Sequence, residues 1–152
     1  YGPERTLPEV LRLAFRELAP DAGPPCPHPT AGAVAVGARG LLVAWNLWLA
    51  EPDLARARAV ASEVRSPEVR ALGLAVGERV QVSLNLVEPA TVGPAEAWDL
   101  VAARVPLAGA ELVGLIPQAV LDRTDPARWR QLDLAPDRTI EARAALREAR
   151  DR

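Results

Sequence analysis

The chain has no methionine and no lysine, and only one cysteine, one histidine, one phenylalanine and one tyrosine among its 152 residues. Each shortage excludes something. A single cysteine cannot close an internal disulfide, and Cys26 with His28 falls short of the three or four ligands that a zinc site needs, so no metal is expected. All 18 basic residues are arginine, they are spread along the chain, and the net charge is -2. That balance gives no general attraction to nucleic acid or to an anionic membrane surface. Apolar runs such as "LLVAWNLWLA" reach about half the length of a membrane-spanning helix, and no basic stretch precedes an apolar one in the manner of a signal peptide. Neither nucleic acid nor membrane is an expected partner, and the expected location is cytoplasmic. Because a nascent chain begins with methionine, Tyr1 is expected to be a processed or trimmed start and the chain a fragment. No G-x-S-x-G elbow, phosphate-binding G-x-x-x-x-G-K or H-E-x-x-H occurs, and no two carboxylates can be paired. "AVGARG" leads from one apolar run to another and lacks the helix N-terminus of a dinucleotide site.

What is present is the balance of a globular domain: 49% hydrophobic and 25% charged residues. "TLPEVLRLAFREL" carries Thr6 as N-cap, Pro8 in the first turn and Glu9 as the return half of a capping box, then Leu11, Ala14, Phe15 and Leu18 at helical spacing. This predicts a helix ended by the prolines from Pro20 onward. "AVAV" and "LLVAWNLWL" around Gly37 and Gly40 read as a hairpin over residues 32–49. "EPDLARARAVASEVR" reads as a helix with Leu54, Ala57, Ala61 and Val64 on one face. "ALGLAV" and "RVQVSLNL" form a hairpin turning at Gly77 and Glu78. "GPAEAWDLVAARV" is a helix bearing Trp98, Val101, Ala102 and Val105, "AELVGLIP" a last strand, and "PQAVLDR" and "TIEARAALREAR" two further helices.

This order is β-α-β-β-α-β, a ferredoxin-like α+β sandwich with an extra N-terminal helix and edge strand. Both helices lie on one face of a mainly antiparallel sheet, and the first and third strands sit in its middle. The expected division is residues 1–31 as N-terminal helix and proline-rich loop, 32–123 as the sandwich, and 124–152 as a helical tail. "AVGARGLLVAWNL" and "AVGERVQVSLNL" echo one another, by descent of two halves or by shared composition.

Side chains alternate across a strand, so parity sorts the faces. Leu41, Val43, Trp45 and Leu47, with Val80, Val82, Leu84 and Leu86, form apolar sides that must meet the helices. Ala44, Asn46 and Trp48, with Gln81, Ser83 and Asn85, then share the uncovered face. Mid-strand asparagines are disfavoured, and a face mixing amides with Leu42 and Trp48 suits a ligand or a domain interface.

The segment "GPPCPHPTAG", Gly23 to Gly32, is a stiff extended loop, because each proline fixes its own backbone and restrains the residue before it. His28 has no identifiable orienting acid, which favours a loop hydrogen bond over acid-base work. Cys26 has no activating partner. Glu63 and Asp99 read as solvated helix charges.

Together, "YG", "RTLPE", "PDAGPPCPHPTAGAVAVGAR", "LVAWNLWL", "VQVSLNLVEP" and "ELVGLIP" resemble, in that order, the C-terminal subdomain of the glutamate formiminotransferase (formimidoyltransferase) family, whose members are in some organisms fused to a cyclodeaminase. The resemblance runs from Tyr1 to about Leu121. It implies transfer of a formimino group from N-formiminoglutamate to tetrahydrofolate, as in histidine degradation, by two ferredoxin-like subdomains facing each other across a folate tunnel. It implies a folate-contacting loop at Gly23, Pro24, Pro25, Cys26, Pro27, His28, Pro29, Thr30, Ala31 and Gly32. The family's catalytic histidine lies in the N-terminal subdomain, and His28 does not align with it. Thr30-Ala31-Gly32 stands where animal enzymes carry Ser-Trp-Gly. No catalytic residue is therefore expected in this chain. Tetrahydrofolate is the expected substrate, Arg39, Asn46, Ser83 and Asn85 the further ligand or interface residues, and the N-terminal subdomain the expected partner. The alternative is a non-catalytic ferredoxin-like module that binds a small molecule or forms a homodimer.

Overall fold

A computed structural model describes residues 5–150, and the "YG" of the motif set lies outside them. The chain divides into two compact units, Tyr1–Arg39 and Gly40–Arg152.

In the first unit, α1 spans Leu7–Leu13. Its start follows the capping box: the Glu9 carboxylate accepts from both the amide and the hydroxyl of Thr6, each at 2.8 Å. The Thr6 amide bond holds the Glu9 carboxyl below the ordinary glutamate range. The helix stops well short of the expected Leu18. No residue of α1 is buried, and a helix without a packed face gains little from further turns. The chain instead reverses through Phe15 at φ 59, with the amides of Glu17 and Leu18 both donating to the Leu13 carbonyl.

The second unit holds β1 (Val43–Leu49), α2 (Leu54–Glu63), β2 (Val69–Val76), β3 (Arg79–Leu86), α3 (Pro94–Ala102), β4 (Leu107–Val113), α4 (Gln118–Asp122) and α5 (Ile140–Arg150), with short 3-10 turns at Pro126–Arg128 and Pro136–Arg138. The sheet order is β2-β3-β1-β4 and every neighbouring pair is antiparallel. This is the ferredoxin-like α+β sandwich that the element order predicts. The extra edge strand is absent, since residues 33–42 have no regular structure. The reason lies in the sheet: "AVAV" needed a free side of β1, and β3 and β4 occupy both.

Local chemistry sets the helix ends. Asp53 caps α2 by accepting from the Arg56 amide at 2.8 Å, and Pro94 opens α3 at a position whose N–H would be unpaired in any case. The core joins Val43, Trp45, Leu47, Val82, Leu84 and Leu86 of the sheet to Ala57, Val60, Ala61, Ala97 and Val101 of the helices. Ala102, expected on the inner face of α3, is exposed. β2 presents small residues to α2: a Cβ on Gly73 would lie 2.4 Å from the Arg58 amide nitrogen, so only glycine permits this approach.

The C-terminal segment is integral to this core. Ile116, Leu121, Leu132 and Leu134 are buried in it, and the indole of Trp45 donates to the Leu132 carbonyl at 3.0 Å. The segment also engages the outer side of β4 at Leu112. Asp133 accepts from the Leu112 amide at 2.8 Å, while Arg138 donates to the Leu112 carbonyl and to Asp133. An edge strand whose polar groups are engaged in this way offers little to a foreign strand.

Candidate functional site

The register places the expected polar residues on one sheet face. Asn46 of β1 lies opposite Ser83 of β3 and Glu111 of β4. Asn85 lies opposite Ala44 and Arg70, Ser83 opposite Leu72, and Gln81 opposite Trp48 and Leu74. Directly opposed residues share a face. This face is therefore the one turned away from Val43, Trp45, Leu47, Val82 and Leu84, which pack into the helical layer. Asn46 and Ser83 are half-buried and Asn85 is exposed.

The face carries definite electrostatics. The Asn46 amide donates to a Glu111 carboxylate oxygen at 3.3 Å. The Arg79 guanidinium stands 3.8 Å above the ring of Trp48, a cation over a quadrupolar face. Gln81 is only 6% exposed, yet its Oε1 has no hydrogen-bond partner among the described residues. A buried amide oxygen left unpaired costs about 1–3 kcal/mol. Near one end of β2, a depression of about 370 Å³ brings Ser83 and Asn85 together with Arg65, Arg70 and Leu72.

The loop of the first unit has its own order. The amides of Thr30 and Ala31 donate to His28 Nδ1 at 3.3 and 3.1 Å, and the Thr30 hydroxyl is 3.2 Å from the same nitrogen. The backbones of His28 and Gly32 exchange two hydrogen bonds, both 2.9 Å. His28 thus makes the expected loop hydrogen bonds as an acceptor, and its Nδ1 staples a tight turn in which Gly32 takes φ 70. Gly23 adopts φ 89. Every residue from Gly23 to Gly32, including Pro24, Pro25, Pro27 and Pro29, is exposed, as are the Cys26 thiol and Arg39.

The two helix carboxylates read as solvated, Glu63 and Asp99, are exposed, and each also meets an arginine. Glu63 meets Arg104 at 2.9 Å, and Asp99 makes a two-pronged bond with Arg128 at 2.7 and 2.9 Å. Glu111 had not been singled out from the sequence. It stands near the start of the strand read from "AELVGLIP", and only the β1–β4 register brings it beside Asn46. Gln81 had been placed on the right face, but its missing partner is visible only in three dimensions. Among the described residues, no cluster of three or more histidine, cysteine or acidic side chains could hold a metal, and no helix is long and apolar enough to cross a membrane.

The chain is thus an α+β sandwich with one sheet face lined by amides, a hydroxyl, a carboxylate and an indole. No family model matches the chain. In sequence it is 34% identical over 143 residues to the formimidoyltransferase-cyclodeaminase of Sus scrofa, covering 80% of this chain and 25% of that protein. It is 33% identical over 132 residues to the glutamate formimidoyltransferase of Streptococcus pyogenes serotype M1, covering 79% and 44% respectively. The formimidoyltransferase-cyclodeaminase of Gallus gallus is 31% identical over 144 residues, with 82% and 26% covered. The chain is thus a relative of the formimidoyltransferases, as its motifs indicated, and it spans between a quarter and under half of the length of these relatives.

Proposed function

We propose that this chain is the folate-binding C-terminal part of a glutamate formimidoyltransferase, working in histidine degradation and one-carbon metabolism within the cytoplasm. It would help move a formimino group from N-formiminoglutamate to tetrahydrofolate. The names of the relatives support the transferase class. The observation that carries the ligand reading is Gln81, whose buried, unpaired Oε1 lies on the same face as Asn46 and Ser83. A flat heterocycle with ring N–H and amino donors answers an acceptor of that kind, and Trp48 offers a surface for stacking.

The role of this face is positioning. Asn46, held by Glu111, and Ser83 and Asn85 supply neutral hydrogen bonds that fix the orientation of a ring, and fixed orientation lowers the entropic part of a transfer barrier. Arg70, beside Asn85, is suited to a ligand carboxylate, because a guanidinium binds carboxylates in two-pronged fashion. On the family resemblance, Gly23–Gly32 and Arg39 are further folate contacts, and a proline-stiffened loop loses less entropy on docking. The acid-base work falls to a histidine of the N-terminal subdomain, the expected partner.

Calorimetric titration of tetrahydrofolate into the chain tests the reading. Binding is expected, with Asn46→Ala combined with Asn85→Ala weakening it at least tenfold. Gln81→Leu is expected to weaken binding while raising unfolding stability by about 1 kcal/mol, because an unpaired acceptor is removed. Absence of heat with the unaltered chain, or full binding by both variants, would overturn it.

A further inference from the structure

β4 carries a glycine where nothing in the fold calls for one. Gly109 lies directly opposite Trp48, on the sheet face that the helices leave uncovered. Its φ is not positive, and a Cβ built on it meets no atom within 4 Å. Neither backbone strain nor a close neighbour excludes a side chain there, in contrast to Gly73, where a Cβ would strike the backbone of α2. Glycine weakens the interior of a strand, and it marks a bulge, a bend or a place where a ligand approaches the backbone. A register shift does fall beside Gly109, between Trp48 and Leu49, but without a positive φ any residue can form it. What glycine provides is a bare floor beside the indole.

Glu111 stands at the end of that floor, two residues along β4 and on the same face. Its Oε2 accepts from Asn46 Nδ2 at 3.3 Å, and no arginine among the described residues forms an ion pair with it. Donating through Nδ2 leaves Asn46 with Oδ1 as a second acceptor. Arg79, the guanidinium at this end of the face, is engaged over the Trp48 ring at 3.8 Å. An anion on the floor would be repelled by Glu111, and an apolar group alone would strip water from a carboxylate without replacing its bonds. A planar group with two N–H donors on one carbon does neither. A carboxylate has about four lone-pair sites, so the Asn46 bond leaves Glu111 able to take a two-pronged contact. The protein itself shows the stacking half of this chemistry, since Arg79 already holds a planar N–C–N cation over the same indole.

We propose that Glu111, with Asn46, Trp48 and the bare backbone at Gly109, is a binding subsite for a planar N–C–N donor edge. Glu111 takes the two N–H groups, Asn46 fixes the carboxylate, and the body of the ligand lies over Gly109 beside Trp48. The proposal deepens the transferase reading and rests on it for the source of that edge: the amidine of a formimino group, or the aminopyrimidine side of tetrahydrofolate. Gln81 lies across Trp48 on the β3 side, so the two acceptors serve different edges of a ligand.

Calorimetry with tetrahydrofolate, N-formiminoglutamate and benzamidine, a plain aromatic amidine, tests the subsite. Glu111→Gln exchanges one acceptor for a donor at nearly the same shape, and should weaken benzamidine binding at least about tenfold. Gly109→Val fills the floor and should weaken it as much, while the thermal unfolding midpoint stays unchanged or rises, because valine suits a strand and meets open space. Whichever of the two substrates loses affinity in both variants is the natural source of the edge. Tetrahydrofolate that fails to bind, beside benzamidine that depends on Glu111 and Gly109, would remove the folate reading and leave the subsite standing. Tetrahydrofolate that binds the unaltered chain and both variants alike, with no other probe sensitive to them, would overturn the subsite and leave the folate reading standing. A chain that binds none of the probes would also overturn the subsite.

Discussion

Residues 35–47 and 75–86 share a pattern of letters and end in different structures. Each runs Ala-Val-Gly, places arginine two residues after the glycine and finishes in Asn-Leu. In the second stretch Val76 and Arg79 close a two-residue turn with Gly77 at φ 59, and the chain returns as β3. In the first, residues 35–42 form no strand and β1 begins only at Val43. The letters differ little, but the available partners differ completely. β2 has a free flank for β3 to join, whereas β1 is enclosed by β3 and β4. A turn signal is therefore conditional on an unoccupied strand beside it.

The comparison sharpens most where the first stretch crosses from exposed to buried. Trp45 is wholly buried with its indole bonded to Leu132, and Val36 is 92% exposed. Trp45→Ala should cost about 3–5 kcal/mol in urea unfolding, through lost packing and an orphaned carbonyl. Val36→Ala should stay within about 0.5 kcal/mol. Equal effects would mean that residues 35–42 are packed after all. A smaller effect separates the two glycines. Gly77→Ala forces an L side chain into the left-handed region and should cost about 1–2 kcal/mol. Gly37 has neither a positive φ nor a neighbour within 4 Å of a built Cβ. Gly37→Ala should lie between neutral and about 1 kcal/mol stabilising, since it narrows the unfolded ensemble.

The same distinction separates the features that are legible in the sequence from those that are not. The Thr6–Glu9 capping box, the Gly77–Glu78 turn and the parity of Asn46, Ser83 and Asn85 each depend on spacings within one element, and the structure shows each of them. The early end of α1, the missing strand at residues 33–36 and the Leu132 bond to Trp45 depend on what lies beside a segment, which spacing does not encode. The candidate face divides in the same way. Its strand residues followed from alternation, whereas Glu111 needed the β4 register and the unpaired Gln81 oxygen needed the packed sheet. For the loop at Gly23–Gly32, stiffness was evident from the prolines, but the acceptor role of His28 is a matter of its own turn geometry.

The smallest effect concerns two carboxylates, one in each unit. Asp99 is held below the ordinary aspartate range by its bonds from Arg128, and Glu9 is held low by the Thr6 amide. A depressed folded value means that the stabilisation is present at neutral pH and is lost as pH falls through that value, below about pH 4. Asp99 joins α3 to the turn at Pro126–Arg128, so its release acts on the packed core. Both partners are substantially solvated, which limits the pair to under about 1 kcal/mol. Asp99→Asn should lower urea-unfolding stability by that margin at neutral pH, and the difference from the unaltered chain should vanish in acid. Glu9→Gln, in a helix that buries nothing, should leave the unfolding midpoint unchanged and speed amide exchange only at the start of α1. A midpoint that moves with Glu9 would show that the first unit unfolds together with the second, and would remove the contrast between a helix held by its cap and a sheet held by its core.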